Sequence, residues 1–309
     1  MDFDFTTHIS KVLSITPSKI TIQPLTGGTL NVAVRASFTP PLDLTQFGHP
    51  QSVSSVILKY SPPYMASEPD VPLDTVRQDI EASALILLDP NSESALPVSS
   101  LFAKYPNIRI PRLIHYDHEE HVLIITDLGS SIVKIDNWLT QDPPPNTEDV
   151  ERIAKDLGRF IADFVIATIE PDVELLSLFP SNLGLMNQFD IYLVNNLKVV
   201  FQSHGVSDAE ILIKRVEDAA RDRSQTNLCL GMVDLWRNNI FIDPDKNICL
   251  IDWEYFGLSN ASCEMSLLGK NFWWRCTFDI YAQNSPNNAL DLIELKFYGR
   301  CKKVRHHIY

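Results

Sequence analysis

Asp234, Asn239 and Asp252 stand close together in the stretch GMVDLWRNNIFIDPDKNICLIDWEYFG. Two short apolar runs, NIFID (239–243) and NICLID (247–252), are separated by Pro244, Asp245 and Lys246, which predicts a tight hairpin. Asp234 and Asn239 lie at or just ahead of the first run, and Asp252 ends the second. Closing the hairpin therefore brings three oxygen-bearing side chains to one side. Convergent carboxylate and amide oxygens suit a hard divalent cation. Mg2+ takes one or two such ligands and fills its octahedron with water and phosphate oxygens. A further acid, spared from the metal, can orient a hydroxyl and accept its proton. These are the parts of a phosphoryl-transfer site, in which positioning and charge neutralisation supply most of the catalysis.

Such a site also needs a cation for the phosphates. Lys59 ends the apolar run VIL, where burying an unpaired ammonium would be costly. Glu81, in the helical pattern DTVRQDIEASALILL, is a suitable partner, and Arg77 lies one turn before it. Each feature has a plainer reading. Asp234 and Asn239 could cap a turn. Lys59 could reach solvent past its own stem, and Arg77 with Glu81 could be a surface helix pair. The glycines Gly27 and Gly28 could be an ordinary hairpin turn. The conjunction, in this chain order, is what favours phosphoryl transfer.

The elements that must position these residues fall into two groups. Residues 3–14 read as a short amphipathic helix. Strands follow at 19–25, 30–38 and 52–60, with Pro40–Pro50 as a loop. A helix begins near Asp74, and two further strands cover 107–117 and 121–129. Beyond Gly129 the pattern turns helical. Residues 147–168 form the clearest helix, with Thr147 as its cap, and helical spacing recurs near 185–200 and 207–222. Segregated strands and helices predict an α+β chain, with a boundary near 127–129.

The motifs resemble those of the aminoglycoside phosphotransferase and choline kinase-like family, relatives of the protein kinases. DLWRNN is similar to the D-L-x-x-x-N catalytic loop, and IDWEYFG to the family's I-D-[WF]-E segment. LTGGTLNVAVRA is similar to the hairpin that covers the nucleotide, and LIITDLG to the linker between lobes. The stretch from Val56 to Leu85 also resembles methylthioribose kinases. This resemblance implies a bilobal protein-kinase-like fold, with a β-rich nucleotide-binding lobe (1–127) carrying one key helix. A mostly helical catalytic and acceptor lobe (128–309) would follow.

The resemblance further implies ATP and Mg2+ as cofactors and a small-molecule hydroxyl as acceptor. Asp234 is then the catalytic base, and Asn239 and Asp252 are the metal ligands. Lys59 contacts phosphate and is anchored by Glu81. Gly27, Gly28 and Asn31 belong to the covering hairpin, Asp127 and Leu128 to the adenine-contacting linker, and Glu254 is expected to face the acceptor.

The family usually writes His-Gly where this chain has Met232-Val233. Methionine supplies no equivalent hydrogen bond, and valine resists positive φ. The family's aspartate after the I-D-W-E glycine has only Glu264 as a counterpart. The C-terminal stretch reads as a shortened acceptor lobe. A pseudokinase of the same fold, binding nucleotide without turnover, is therefore the competing reading.

Composition narrows the class. A hydrophobic fraction of 45% with 21% charged residues is ordinary for a globular chain and excludes disorder. The net charge of −13 argues against a nucleic-acid partner, which needs a basic footprint. No apolar run is long enough to span a bilayer, and the N-terminus lacks a basic flank and apolar stretch. A cytoplasmic enzyme without a membrane partner is expected. The five cysteines form no C-x-x-C pair and read as free thiols. His115, His118 and His121 flank a turn and read as solvated. Oligomeric state and the identity of the acceptor (an aminoglycoside, a choline-like amine, methylthioribose or another sugar) are not legible.

Overall fold

The computed structural model describes residues 3–48, 52–169, 171, 182–222, 228–260 and 264. Helix α1 (Phe5–Leu13) opens at Asp4, whose carboxylate accepts the Thr7 backbone N–H at 3.0 Å. It buries Phe5, Ile9 and Leu13 at four-residue spacing. Strands β1 (Ile20–Pro24), β2 (Val32–Asp43) and β3 (Ser52–Tyr60) follow. After them come a small hairpin of β4 (Tyr64–Met65) with β5 (Glu68–Pro72), then helix α2 (Val76–Leu88). The short helix α3 (Leu101–Lys104) precedes β6 (Ile108–Arg109), β7 (Leu113–Asp117) and β8 (Val122–Thr126).

The first sheet is antiparallel, in the order β1-β2-β3-β8-β7. Alternate side chains of its strands leave on opposite faces. Val34, Ala36, Val56, Leu58, Val122 and Ile124 pack with α1 in one core. Leu123 and Ile125 belong instead to a second core with α2, which continues into the rest of the chain.

Two expectations are corrected here. The stretch from Pro40 is not all loop: β2 runs through Pro40 and Pro41 to Asp43, with its register against β3 shifting between Ser37 and Leu42. Proline has no N–H to give, but a shifted edge of the ladder tolerates it. Residues 107–117 are not one strand. The chain breaks around Pro111, so that β7 joins the first sheet while β6 pairs in parallel with a strand about 140 residues later.

Beyond β8 come β9 (Val133–Lys134), α4 (Ile135–Leu139) and α5 (Thr147–Thr168). Helix α5 has the bounds its periodicity predicts, but its cap is Asn146, one residue earlier, accepting the Asp149 N–H at 2.8 Å. Helices α6 (Asn182–Ser203) and α7 (Ala209–Asp222) form a contacting pair. Strand β10 (Leu228–Gly231) leads to the hairpin of β11 (Ile240–Ile242) and β12 (Ile248–Leu250), then to β13 (Gly257–Asn260). The hairpin is closed by the pairs Ile240–Leu250, Phe241–Cys249 and Ile242–Ile248. It sits in a four-stranded sheet ordered β6-β12-β11-β9, while β10 pairs with β13.

This hairpin is therefore flanked by β6, which precedes the last two strands of the first sheet, and by β9, which follows them. Cys249 is a buried free thiol, and Cys229 is buried as well. No helix among the described residues is long and apolar enough to cross a membrane. The stretch beyond 264, where the sequence leads one to expect a shortened acceptor region and where two of the remaining cysteines fall, lies outside the described residues. Cys263 does too.

Candidate active site

The loop between β10 and β11 carries Asp234 and Asn239. The Asn239 side-chain N–H group donates to both the backbone carbonyl and the carboxylate Oδ2 of Asp234, each at 2.9 Å. Asn239 in turn lies against the second hairpin strand, since its carbonyl accepts the Ile251 N–H at 3.0 Å. The amide nitrogen is thus committed to Asp234, and the amide oxygen is the atom left for a cation. Burial pushes the Asp234 carboxyl up to about 7, with the neighbouring Asp252 adding to the effect and Asn239 opposing it.

Lys59 comes to the same place from the first sheet. Within β3 it is flanked by Ala33 and Leu123 on the two neighbouring strands. Its ammonium donates to Glu81 of α2 at 2.5 Å and also to Asp252, just past β12. Burial works against the ammonium, but Asp252, Glu81 and Glu254 outweigh it and keep the group protonated. Burial likewise raises the Glu81 carboxyl, and Lys59 opposes this. Carboxylate oxygens of Glu81, Asp252 and Glu254 all lie within 4.8 Å of one another. Asp252 itself adopts φ 71°, which turns the chain sharply at the hairpin exit.

The glycine turn between β1 and β2 meets this group through Asn31. Gly27 has φ 100°, which favours glycine, and a Cβ on Gly28 would stand 3.0 Å from the Asn31 carbonyl oxygen, so a side chain there would have to push the turn aside. The Asn31 side chain donates to Glu254 at 2.6 Å and accepts from Arg77 Nε at 2.9 Å. Arg77 is 0% exposed and also donates to the carbonyls of Pro62 (2.8 Å), Leu30 (3.3 Å) and Asp74. The surface-pair reading of Arg77 is therefore wrong. Four acceptors in the junction consume its guanidinium, which is how a fully buried arginine is tolerated.

Among the described residues, Glu254 opens onto no cleft. It is buried beneath Asn31, with Arg77 Nε at 3.7 Å, and burial followed by Asp252 raises its carboxyl. The two-residue step from Asp252 turns its side chain back into the interior.

At the end of β8 the Asp127 side chain is committed to its own lobe of strands. The Asp127 carboxylate accepts from Arg35 Nε (2.6 Å) and Nη2 (3.1 Å), from Ser55 Oγ (2.7 Å) and from the Gly129 N–H (2.9 Å). Burial alone would raise its carboxyl, but these donors hold it below the usual carboxylate range. Its side chain thus fixes the linker to β2 and β3. Any contact with a base would fall to the backbone of Asp127 and the partly buried Leu128.

Glu264, singled out in the sequence only as the counterpart of the family's aspartate, proves to support the loop. Glu264 is buried, and its two oxygens accept the N–H groups of Met232 (3.1 Å) and Val233 (3.0 Å), together with the Ser259 hydroxyl (2.6 Å). It holds from behind the loop that carries Asp234. A Cβ on Gly231 would meet this carboxyl at 2.3 Å, so only glycine fits there.

Val233 adopts φ 65° in spite of its branched side chain. That conformation costs about 1–3 kcal/mol, which is similar to the roughly 1.5–3 kcal/mol that burying a valine contributes. Val233→Gly is therefore expected to change stability by less than about 1 kcal/mol. By comparison, Val165→Gly in the last turn of α5, where the side chain is fully buried, should cost about 3 kcal/mol. Equal losses in denaturant melts of the two variants would show that Val233 is unstrained.

No protein-family profile matches the chain. A 4-hydroxytryptamine kinase from Psilocybe cyanescens is 27% identical over 280 residues, spanning 86% of this chain and 72% of that enzyme. Among solved structures, a choline kinase from Cryptosporidium parvum superposes with a TM-score of 0.51 at 12% identity, covering 99% of this chain and 94% of the other. An aminoglycoside phosphotransferase from Streptomyces rimosus gives 0.50 at 14% identity, covering 99% and 97%. The chain thus has the protein-kinase-like α+β fold of these small-molecule kinases, as its motifs predict.

Proposed function

We propose that this chain is an ATP- and Mg2+-dependent phosphotransferase acting on a hydroxyl of a small, amine-bearing molecule. The observation that carries this reading is the convergence of Lys59, Glu81, Asp252 and the Asp234–Asn239 loop from three separate elements. Asp234 is the acid that orients the acceptor hydroxyl and takes its proton. Lys59, held by Glu81, donates to nucleotide phosphate oxygens, and the Gly27–Gly28 turn lets backbone N–H groups approach them. Residues 1–127 would hold the nucleotide, and residues 128–309 the catalytic loop and the acceptor.

The cluster fits Mg2+ on chemical grounds. Its donors are hard oxygens, and carboxylates gathered this closely repel one another until a cation or ammonium joins them. Asp252 and Asn239 would hold the ion, with Glu254 beside them. Bound there, Mg2+ would neutralise charge on the transferring phosphoryl group.

An amine-bearing acceptor is favoured by the sequence relative's named substrate and by the acidic surroundings, with a net charge of −13 over the chain. A cytoplasmic location would supply both ATP and Mg2+.

The test is Mg2+-dependent ADP release across 4-hydroxytryptamine, choline, an aminoglycoside and methylthioribose, with tryptamine as a control lacking the hydroxyl. Turnover with a hydroxylated amine and none with tryptamine is expected. Turnover on the neutral sugar alone would overturn the amine assignment. Absence of both nucleotide binding and turnover would overturn the kinase reading.

A further inference from the structure

Among the described residues around the cleft, Lys134 is a cation without a carboxylate partner. Four carboxylates, Glu81, Asp234, Asp252 and Glu254, gather at the junction. Lys59 is already shared between Glu81 and Asp252. Arg77 is enclosed by Asn31, Glu254 and backbone carbonyls, and Arg35 is bound to Asp127. A nucleoside triphosphate brings several further negative charges. Lys59 and a single divalent ion leave that excess under-compensated, and unpaired charge in a partly desolvated cleft is costly.

Lys134 lies where it can make up the difference. It belongs to β9, whose register places it opposite Phe241 and Val133 opposite Ile242. β9 is thereby tied to β11, which begins directly after Asn239. The side chain leaves this strand toward the glycine turn, so that a Cβ placed on Gly27 would stand 3.4 Å from its Nζ. Lys134 is half-buried, and among the described residues no carboxylate pairs with it. Asp136, two residues on, pairs with Arg237 at 3.1 Å.

The plain alternative is a linker lysine directed to solvent. Its ammonium does not take that course: it reaches the glycine turn, 3.4 Å from where a Cβ on Gly27 would stand, and the turn's lack of side chains leaves backbone N–H groups uncovered beside it.

We propose that Lys134 is a nucleotide-binding residue whose ammonium donates to the polyphosphate chain beneath the Gly27–Gly28 turn. The proposal rests on the phosphotransferase reading above. It adds a second cation, carried by the strand next to the catalytic hairpin, to the one on β3. Its position gives it a further consequence. A phosphate chain held at once by Lys134, the glycine turn and Lys59 draws the β1–β2 turn and the catalytic hairpin toward one another.

The test is calorimetric titration of the parent, Lys134→Gln and Lys134→Arg with Mg-ATP, Mg-ADP and adenosine. Lys134→Gln is expected to weaken both Mg-nucleotides about tenfold, the scale of one lost hydrogen bond to a charged group. Adenosine affinity should stay within about twofold, and Lys134→Arg should restore Mg-ATP affinity to within about threefold of the parent. Unchanged Mg-ATP affinity in Lys134→Gln would overturn the role of Lys134 while leaving the phosphotransferase reading intact. Equal weakening of adenosine and Mg-ATP would overturn it too, by showing that the side chain only shapes the glycine turn. A parent protein that binds no Mg-nucleotide would overturn both. Equal melting temperatures of the three proteins without ligand establish that the comparison is made on folded material.

Discussion

Asp234→Asn is expected to lower turnover by about three orders of magnitude, the usual scale for losing a positioned acid or base. The substitution keeps the size of the side chain and the oxygen that Asn239 bonds, so Mg-ATP affinity should change by no more than a few-fold. What it removes is the capacity to take a proton from the acceptor. The parent should also show an acid limb in kcat/KM that the variant lacks. Below about pH 7 the Asp234 carboxyl is protonated, because burial and the nearby Asp252 hold its proton on. Activity therefore falls as pH drops through that value and is fully present above it. A divalent ion on Asp252 offsets part of the repulsion and moves the limb downward, so raising Mg2+ should shift it to lower pH. Full turnover in Asp234→Asn, or a profile indifferent to Mg2+, would remove Asp234 from the chemistry.

Glu264→Ala is the second large effect, and it acts from behind the loop. Truncation leaves two buried N–H groups, on Met232 and Val233, and the Ser259 hydroxyl without their acceptor. Each of the two unsatisfied buried N–H groups costs about 1–3 kcal/mol, while the part-buried Ser259 hydroxyl can turn to water, so a loss of roughly 2–6 kcal/mol is expected. For a chain of this size that corresponds to a melting temperature lower by about 10 °C. Glu264→Gln keeps one carbonyl oxygen and should lose about half as much. Turnover should drop in Glu264→Ala even below its melting range, because Val233 needs outside support to remain at φ 65° with Asp234 next to it. A variant that melts and turns over like the parent would mean that other contacts hold the loop.

This clamp bears on the Met232-Val233 substitution that makes the pseudokinase reading plausible from sequence. The loop closes without the usual glycine at position 233, at the expense of a strained valine. Met232 lies in the core rather than in a polar contact. Glu264 supplies through its carboxylate the backbone restraint that this strained turn requires.

Local chemistry determined a good deal of this protein from sequence alone. Helix 147–168 is legible because its apolar residues repeat at helical spacing over six turns. The β11–β12 hairpin is legible because turn residues separate two apolar runs. Lys59, Asp234 and Asp252 could be singled out because an ionic group bordering apolar strand sequence needs a reason to be there, and Glu81 because the adjoining helix offers it as a partner for Lys59. Apart from the Lys59–Glu81 pair, tertiary structure alone decided which partner each of these polar groups has. Glu254 lies 223 residues from Asn31, and Asp127 lies 92 residues from Arg35. No periodicity in the chain records such a pairing, so Arg77 reads as a surface residue until the fold buries it. The same holds for Glu264 and Lys134, whose roles depend on a loop and a glycine turn contributed by other elements. Side-chain spacing fixes what a segment can form by itself. The direction in which a charge finally points is set by the desolvation and pairing energies that arise only once distant segments have packed together.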